Sequence, residues 1–176
     1  MVGNKEIGII TFSYNDEEMF NEVSMLSAYM AKSWAGEGAS IDDYCITSDE
    51  KELYDSCLRQ ALPSIYETML KMSSGIEDAF KDSVELKSDE TDGLKRKAGK
   101  YIEISINGTG EYNSNLLSLV DSTLRDCIKF STLAEYYSFC MNKDLQAVAG
   151  SKYSNSLLLL DQRLFQLKKK ATARLY

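Results

Sequence analysis

The chain has 176 residues, of which 44% are hydrophobic and 27% charged, a balance typical of one globular domain. It contains no histidine, which excludes catalytic triads with an imidazole base, histidine-ligated zinc and histidine proton shuttles. Its four cysteines are scattered without a C-x-x-C pair, so we interpret them as reduced core residues and expect neither a metal nor a cofactor: Cys45, Cys57, Cys127 and Cys140.

The N-terminal part of the sequence predicts a strand followed by a helix. Glu6 to Tyr14 is rich in β-branched and aromatic residues, which favour a strand. Asn15 or Asp16 can cap the next helix, which we expect to end at Gly36. Its apolar positions recur at helical spacing: Met19, Val23, Leu26 and Met30.

A second helix is predicted after a loop. Thr47 and Glu50 have the spacing of a capping box, in which each side chain bonds the other residue's backbone. Pro63 lies within the helical pattern, so either the helix kinks there, which we favour, or one helix ends and another begins. The apolar stripe before Ser73–Gly75 consists of Leu58, Leu62, Ile65, Met69 and Met72.

The middle of the chain predicts a β-hairpin. Tyr101 to Asn107 alternates, with Tyr101 and Glu103 on the face opposite three isoleucines: Ile102, Ile104 and Ile106. Residues 76–87 fit either its antiparallel partner or a helical turn, through Phe80, Val84 and Leu86. Between the two segments, residues 87–100 are polar and charged and predict a long loop.

Two helices are predicted to complete the domain. Ser114 can cap a long helix with one apolar side: Leu117, Val120, Leu124, Cys127, Ile128, Ser131, Ala134, Tyr137 and Met141. After a break at Ala149-Gly150, a basic helix at 153–175 carries a narrow stripe: Leu157, Leu160, Leu164, Leu167, Ala171 and Leu175. That stripe can pack inside the domain or against another copy.

Together these elements predict a single domain over residues 1–176 of the α+β class, mainly α. We expect a bundle of about four helices with a small antiparallel hairpin and a short N-terminal strand. No apolar run is long enough to span a bilayer, and the N-terminus lacks the features of a signal peptide. We therefore expect a protein of a reducing cytoplasm that is not secreted through a signal peptide.

The sequence offers little for catalysis. Gly108-Thr109-Gly110 follows a strand as in a dinucleotide-binding turn, but Asn113 stands where the third glycine would be. Adjacent carboxylates, such as Asp42-Asp43, lie in acidic surface stretches, whereas acid–base catalysis needs carboxylates held across a pocket. We therefore predict that the protein is not an enzyme and has no catalytic residue.

Charge is distributed unevenly along the chain. Residues 1–55 hold twelve acidic residues against three lysines, a net charge of −9, whereas residues 163–176 carry +5 with no acid. These segments can be a solvated face and a basic helix end, or they can attract each other between copies in head-to-tail association. The acidic body disfavours nucleic-acid binding.

The order of these elements resembles the head–tail connector (adaptor, neck) proteins of tailed bacteriophages. The local residue pattern is also similar to that of these proteins in two segments, ITSDEKELYDSCLRQALPSIYETM at Ile46–Met69 and LLLLDQRLFQLKKKATARLY at Leu157–Tyr176. The resemblance implies a non-enzymatic virion protein that forms a homo-oligomeric ring between portal and tail subunits. It also implies a location in the host cytoplasm during assembly and then in the virion, with no membrane partner.

If the resemblance holds, the charged loop and the terminal helix are the expected contacts between subunits. The loop contributes Asp89, Glu90, Lys95, Arg96 and Lys97. The helix contributes Leu157, Leu160, Leu164, Leu167, Lys168, Lys169, Lys170 and Arg174. Trp34, Tyr44 and the pair Tyr136-Tyr137 can also contribute to a subunit contact, because aromatic residues are enriched at interfaces. The alternative is a monomeric helical binding module that regulates a partner protein through a tyrosine-rich surface.

Overall fold

The fold is mainly α-helical with a small antiparallel sheet, which confirms the predicted class. A computed structural model describes residues 7–36, 40–72, 86–90, 100–109 and 114–168. The strands are β1 (Ile7–Asn15), β2 (Leu86–Glu90) and β3 (Lys100–Thr109). The helices are α1 (Asp16–Ala35), α2 (Lys51–Met72), α3 (Leu117–Phe139) and α4 (Lys143–Lys168). Short 3-10 turns occupy Asp42–Tyr44, Ser48–Glu50 and Ser114–Leu116.

The three strands form one sheet in the order β1-β3-β2, so the N-terminal strand joins the predicted hairpin. Both pairings are antiparallel, and Ile104 at the centre lies between Phe12 and Leu86. Ile104 is fully buried, as its position in the alternating pattern predicts. Tyr101 departs from that pattern, because it lies on the opposite face and is nevertheless buried.

The predicted loop over residues 87–100 is shorter than expected. Residues 87–90 belong to β2, and Lys100 begins β3 opposite Glu90. Strand pairing with β3 satisfies the backbone groups of this polar segment, which outweighs its low strand propensity. Residues 91–99, and Phe80 and Val84 of the open strand-or-helix prediction, lie outside the described residues.

The predicted cap of α1 is confirmed, and the predicted capping box forms on the 3-10 turn that leads directly into α2. The Asn15 Oδ1 accepts a hydrogen bond of 3.0 Å from the backbone N–H of Glu18, and α1 gives way to Gly36 at φ 71°. Thr47 and Glu50 form the capping box, in which the Thr47 N–H donates to Glu50 Oε2 at 3.0 Å. One helix continues through Pro63, so the alternative of two helices is wrong.

The break between the last two helices is not where the sequence predicted it. Gly150 lies inside α4, and the chain instead turns at Met141, which has φ 54°. Asn142 caps α4, because its Oδ1 accepts a 3.0 Å hydrogen bond from the Leu145 N–H. The cap fixes the start of α4 at residue 143 rather than 153.

Two predictions for α3 are also wrong. Leu116 stands at its N-cap position without a side-chain hydrogen bond, because Ser114 begins a 3-10 turn that precedes the helix. Met141 does not extend the apolar side of α3, since it lies in the turn and is 89% exposed. The helix itself ends at Phe139.

The core surrounds α3, which packs most extensively on α4 and also on α2 and α1. Buried tyrosines fix these neighbours by their hydroxyl groups. Tyr137 donates to the carbonyl oxygen of Ser27 on α1 at 3.2 Å, and Tyr136 donates to the Glu50 carboxylate at the start of α2. Tyr14 donates to the carbonyl oxygen of Asp121 at 3.1 Å, which ties the sheet to α3.

Glycine positions provide a first test of the α4 boundary. A Cβ at Gly150 would meet no atom within 4 Å, so Gly150→Ala should raise the free energy of unfolding by about 0.5–1 kcal/mol, as expected within a helix. Gly36→Ala is the matched control and should lower it, because φ is +71° there. Urea denaturation measures both, and a destabilised Gly150→Ala would contradict the continuous helix.

Two buried tyrosines provide a second test. The Tyr54 hydroxyl is buried and has no hydrogen-bond partner among the described residues, so Tyr54→Phe should leave stability unchanged or raise it. Tyr137→Phe should lower the free energy of unfolding by about 1 kcal/mol, because the Ser27 carbonyl loses its donor. Equal losses in urea denaturation would show that Tyr54 has a partner.

Candidate interaction surfaces

The leucine stripe predicted as an interface lies inside the chain. Leu160, Leu164 and Leu167 are buried in the core cluster, and Leu157 is half-buried against it. Internal packing, the alternative that the sequence left open, is therefore the one observed. Since α3 already covers these side chains, they are not available for contact with a second copy.

A different side of α4 is exposed and uncharged. We call it the α4 outer face, and it consists of Val148, Ser151, Asn155, Leu158, Leu159, Gln162, Phe165 and Gln166, all exposed. Leu158 is 64% exposed and Phe165 62%. At 100° per residue these eight positions share one side of the helix, with Lys152 and Asp161 at its margins. Between residues 148 and 166 no charged side chain lies on this side, and the exposed Asp144 lies on it one turn earlier.

The cations beside this face are engaged elsewhere. Arg163 donates a 2.8 Å hydrogen bond to the carbonyl oxygen of Leu119 and also contacts the Thr123 hydroxyl on α3. Lys152 lies over the Phe130 ring, 5.4 Å from its centroid. Both side chains contact α3, so the α4 outer face itself consists of apolar and uncharged polar residues.

The second exposed surface runs along α1. This α1 outer face begins with acidic residues, continues with large apolar ones and ends with a lysine: Glu17, Glu18, Asn21, Met25, Tyr29 and Lys32. Met25 is 75% exposed and Tyr29 74%. Methionine and aromatic side chains are enriched in protein interfaces, so this exposure marks a candidate contact.

A third exposed cluster lies at the end of the bundle where α3 turns into α4. The Trp34 indole N–H donates to Asp144 Oδ2 at 3.4 Å, and its ring meets Tyr44 edge-on at 5.2 Å. Phe139 and Met141 at the helix turn are exposed as well. Of the aromatic residues predicted for a subunit contact, Trp34 is thus partly exposed, whereas Tyr136 and Tyr137 are fully buried.

The remaining predicted interface residues are charged. Asp89 and Glu90 lie in β2, at an edge of the sheet, where Asp89 pairs with Tyr101 and Glu90 with Lys100. Lys168 is the last residue of α4. Six others lie outside the described residues: Lys95, Arg96, Lys97, Lys169, Lys170 and Arg174. Their role as contacts stays a prediction.

Three of the four thiols are buried, Cys140 is half-buried, and all four are hard to ionise. Burial, with the nearby Glu135 carboxylate and the Cys140 thiol adding to it, raises the pKa of Cys57 to about 11. Burial and the Asp126 carboxylate raise the pKa of Cys127 to about 12. The pKa values of Cys45 and Cys140 are raised for the same main reason. All four are therefore neutral at physiological pH, as the reduced core cysteines of the sequence analysis would be.

The described part of the chain shows no other site of obvious chemistry. Within it, no three or more cysteine, aspartate or glutamate residues are grouped so as to hold a metal ion. A depression on the surface of α2 is lined by Glu52, Asp55, Ser56 and Arg59, which follow one another along one helix. None of the described helices combines the length and the apolar character that crossing a membrane requires.

Comparisons of the chain with protein-family models, with curated proteins and with solved structures found no match. The exposed surfaces on α1, on α4 and around Trp34 are the features of the described residues that bear on function.

Alkaline pH should lower the free energy of unfolding. The folded pKa of Cys127 lies above its ordinary value of 9.0, so the unfolded chain releases this proton at lower pH than the folded one. Its contribution to stability is complete below about pH 9 and is lost as pH rises towards the folded value of about 12. The buried tyrosines, whose pKa values are also raised, act in the same direction.

The measurement is the urea midpoint at about pH 8 and about pH 10.5. We expect a lower midpoint at the higher pH, and a smaller drop for Cys127→Ala relative to its own value at about pH 8. A thiol reagent should react slowly with the folded protein and fast in urea. An unchanged midpoint, or four thiols that react at once, would contradict the burial of these groups.

Proposed function

We propose that this protein is a non-enzymatic assembly protein, and specifically a subunit of the neck of a tailed-phage virion, where copies form a ring between portal and tail. The observation that carries the proposal is the α4 outer face, an exposed helix side with eight positions and no charge. A self-associating subunit has a use for such a face, whereas a solitary soluble domain does not.

The neutrality of this face is notable in so acidic and charged a chain. Charged residues make up 27% of the sequence, and its net charge is −7. Charged residues are depleted at the centre of protein interfaces, because burying an unpaired charge costs several kcal/mol. Leu158 and Phe165, exposed one above the other two turns apart, would gain by the removal of their apolar surface from water.

The assignment to a virion neck is supported by the resemblance in element order and by the uneven charge. A net charge of −9 near the start and +5 near the end favours contact between unlike ends of neighbouring copies. Such contacts are heterologous and close into rings when the rotation permits. The protein would then act in the host cytoplasm during assembly and afterwards in the virion, with portal and tail subunits as further partners.

The alternative is a monomeric binding module that regulates one partner protein. The Trp34–Tyr44 ring pair and the exposed Phe139 and Met141 favour it, since aromatic side chains and methionine are enriched in protein interfaces. The two proposals differ in stoichiometry. A module forms a one-to-one complex and no homo-oligomer, whereas a neck subunit associates with itself.

Native mass spectrometry and light scattering of the purified chain distinguish the two. At low salt and high protein concentration we expect higher oligomers, with rings in electron micrographs, alone or after addition of the portal protein encoded in the same genome. Added salt should shift the oligomers towards monomer, because screening weakens the contact of unlike charges. A chain that stays monomeric under all these conditions would refute the assembly proposal.

A further inference from the structure

We propose that two copies of the protein pair through their α4 outer faces, antiparallel and related by a two-fold axis at the level of residue 153. The inference rests on the proposed function, because it names a second copy as the occupant of the face that carries that proposal. A contact of this symmetry uses the same face of both copies and closes after two of them, so it gives a dimer. The dimer is the form of the free subunit before it joins a larger assembly.

The α4 outer face has the residue spacing of a helix that packs on another helix. Val148, Ser151, Asn155, Leu158 and Gln162 follow one another at steps of 3, 4, 3 and 4 residues. Side chains at this spacing form a seam along one side of a helix, against which a second helix packs. All five side chains are exposed, since α3 packs on the opposite side of α4. A helix from a second copy therefore fits this face.

The seam matches itself when the second helix runs in the opposite direction. Val148 and Leu158 each lie five residues from the axis, so Val148 of one copy is level with Leu158 of the other. Ser151 and Asn155 each lie two residues from the axis, so a hydroxyl group comes level with a side-chain amide and can hydrogen-bond it. Apolar side chains thus meet apolar ones, and polar side chains meet polar ones.

Two charged residues at one margin of the face set this direction. Lys143 and Asp161 are both exposed and lie eighteen residues apart, about five turns at 3.6 residues per turn, so they share one side of α4. In the antiparallel pair, Lys143 is ten residues from the axis and Asp161 of the other copy is eight, a difference of about 3 Å along the helices. Neither residue forms an ion pair with another described residue. Symmetry makes the contact twice.

The acidic residue on the face itself is compatible with this pair. Asp144 lies nine residues from the axis and is level with Gln162 of the other copy, whose side-chain amide can donate to a carboxylate. Asp161 of the other copy also approaches Asp144. Lys143 and the N-terminus of α4 lie at the same place, and both favour a carboxylate there.

Parallel pairing of the same two faces is less favourable. It would bring Lys143 of one copy to Lys143 of the other, and likewise Asp144 to Asp144 and Asp161 to Asp161. In the antiparallel pair, the two Lys152 side chains come level across the opposite margin. Each of them lies over the Phe130 ring of its own chain, 5.4 Å from the centroid, which draws the charge away from the contact.

A substitution in the centre of the seam tests the contact. Leu158→Asp places a carboxylate against Val148 twice in each dimer, so we expect dimerisation at least about tenfold weaker than in wild type. Met25→Asp is the matched control, because it makes the same change at an exposed apolar residue of α1 and should dimerise as wild type does. Sedimentation velocity over a series of concentrations measures both, and circular dichroism checks the fold. A Leu158→Asp chain that dimerises like wild type would overturn the pairing.

Charge exchange at the margin tests the direction. Lys143→Glu and Asp161→Lys should each weaken the dimer by about three- to tenfold at low salt, because like charges then meet at both symmetric contacts. Both substitutions in one chain should restore the homodimer, and a mixture of the two single variants should form a heterodimer, which native mass spectrometry identifies by mass. Single variants that dimerise like wild type would contradict the antiparallel direction.

The same measurements separate this pairing from the proposed function. If Leu158→Asp forms the same oligomers as wild type, the pairing is wrong and the assembly proposal stands. If wild type forms dimers that never grow, alone or with the portal protein, the pairing stands and the ring is refuted. A wild-type chain that stays monomeric and binds a different protein through Leu158 would refute both, since the face would then belong to that partner.

Discussion

The structure depends on the burial of α3 by the elements around it. Its buried side chains point in nearly all directions, so no single neighbour can cover them, and α1, α2 and α4 all pack on it. Burial of so many apolar groups stabilises the domain only if the polar groups among them are satisfied. Thr132 and Ser131 bond the Ile128 carbonyl within α3, and Tyr136 and Tyr137 bond the neighbouring segments.

Because α3 is central, α4 has one side that packs on α3 and an opposite side that is exposed. The side with Leu160 and Leu164 packs on α3, and Arg163 reaches back to the same helix. The opposite side exposes Leu158 and Phe165 among uncharged polar residues. The first side packs in the core, and the second faces outwards.

Local sequence signals predicted the structure best where a short segment decides it. The sequence predicts the Asn15 cap and the Thr47–Glu50 box correctly, because their hydrogen bonds join residues three apart. The predicted break at Ala149-Gly150 is wrong, because a single glycine is a weaker signal than packing along a long helix. The side chain of Asn142 caps α4 instead. A cap signal was present there, since asparagine is a preferred N-cap residue.

The sequence by itself determined the class of fold, the alternation of β3 and the apolar periodicity of the helices. Only the tertiary structure decided which apolar stripe of α4 faces the core, because periodicity identifies a face but not what covers it. The stripe at Leu157, Leu160 and Leu164 and the exposed positions Leu158 and Phe165 both follow heptad-like spacing. Contact with α3 covers the first, whereas Leu158 and Phe165 are exposed.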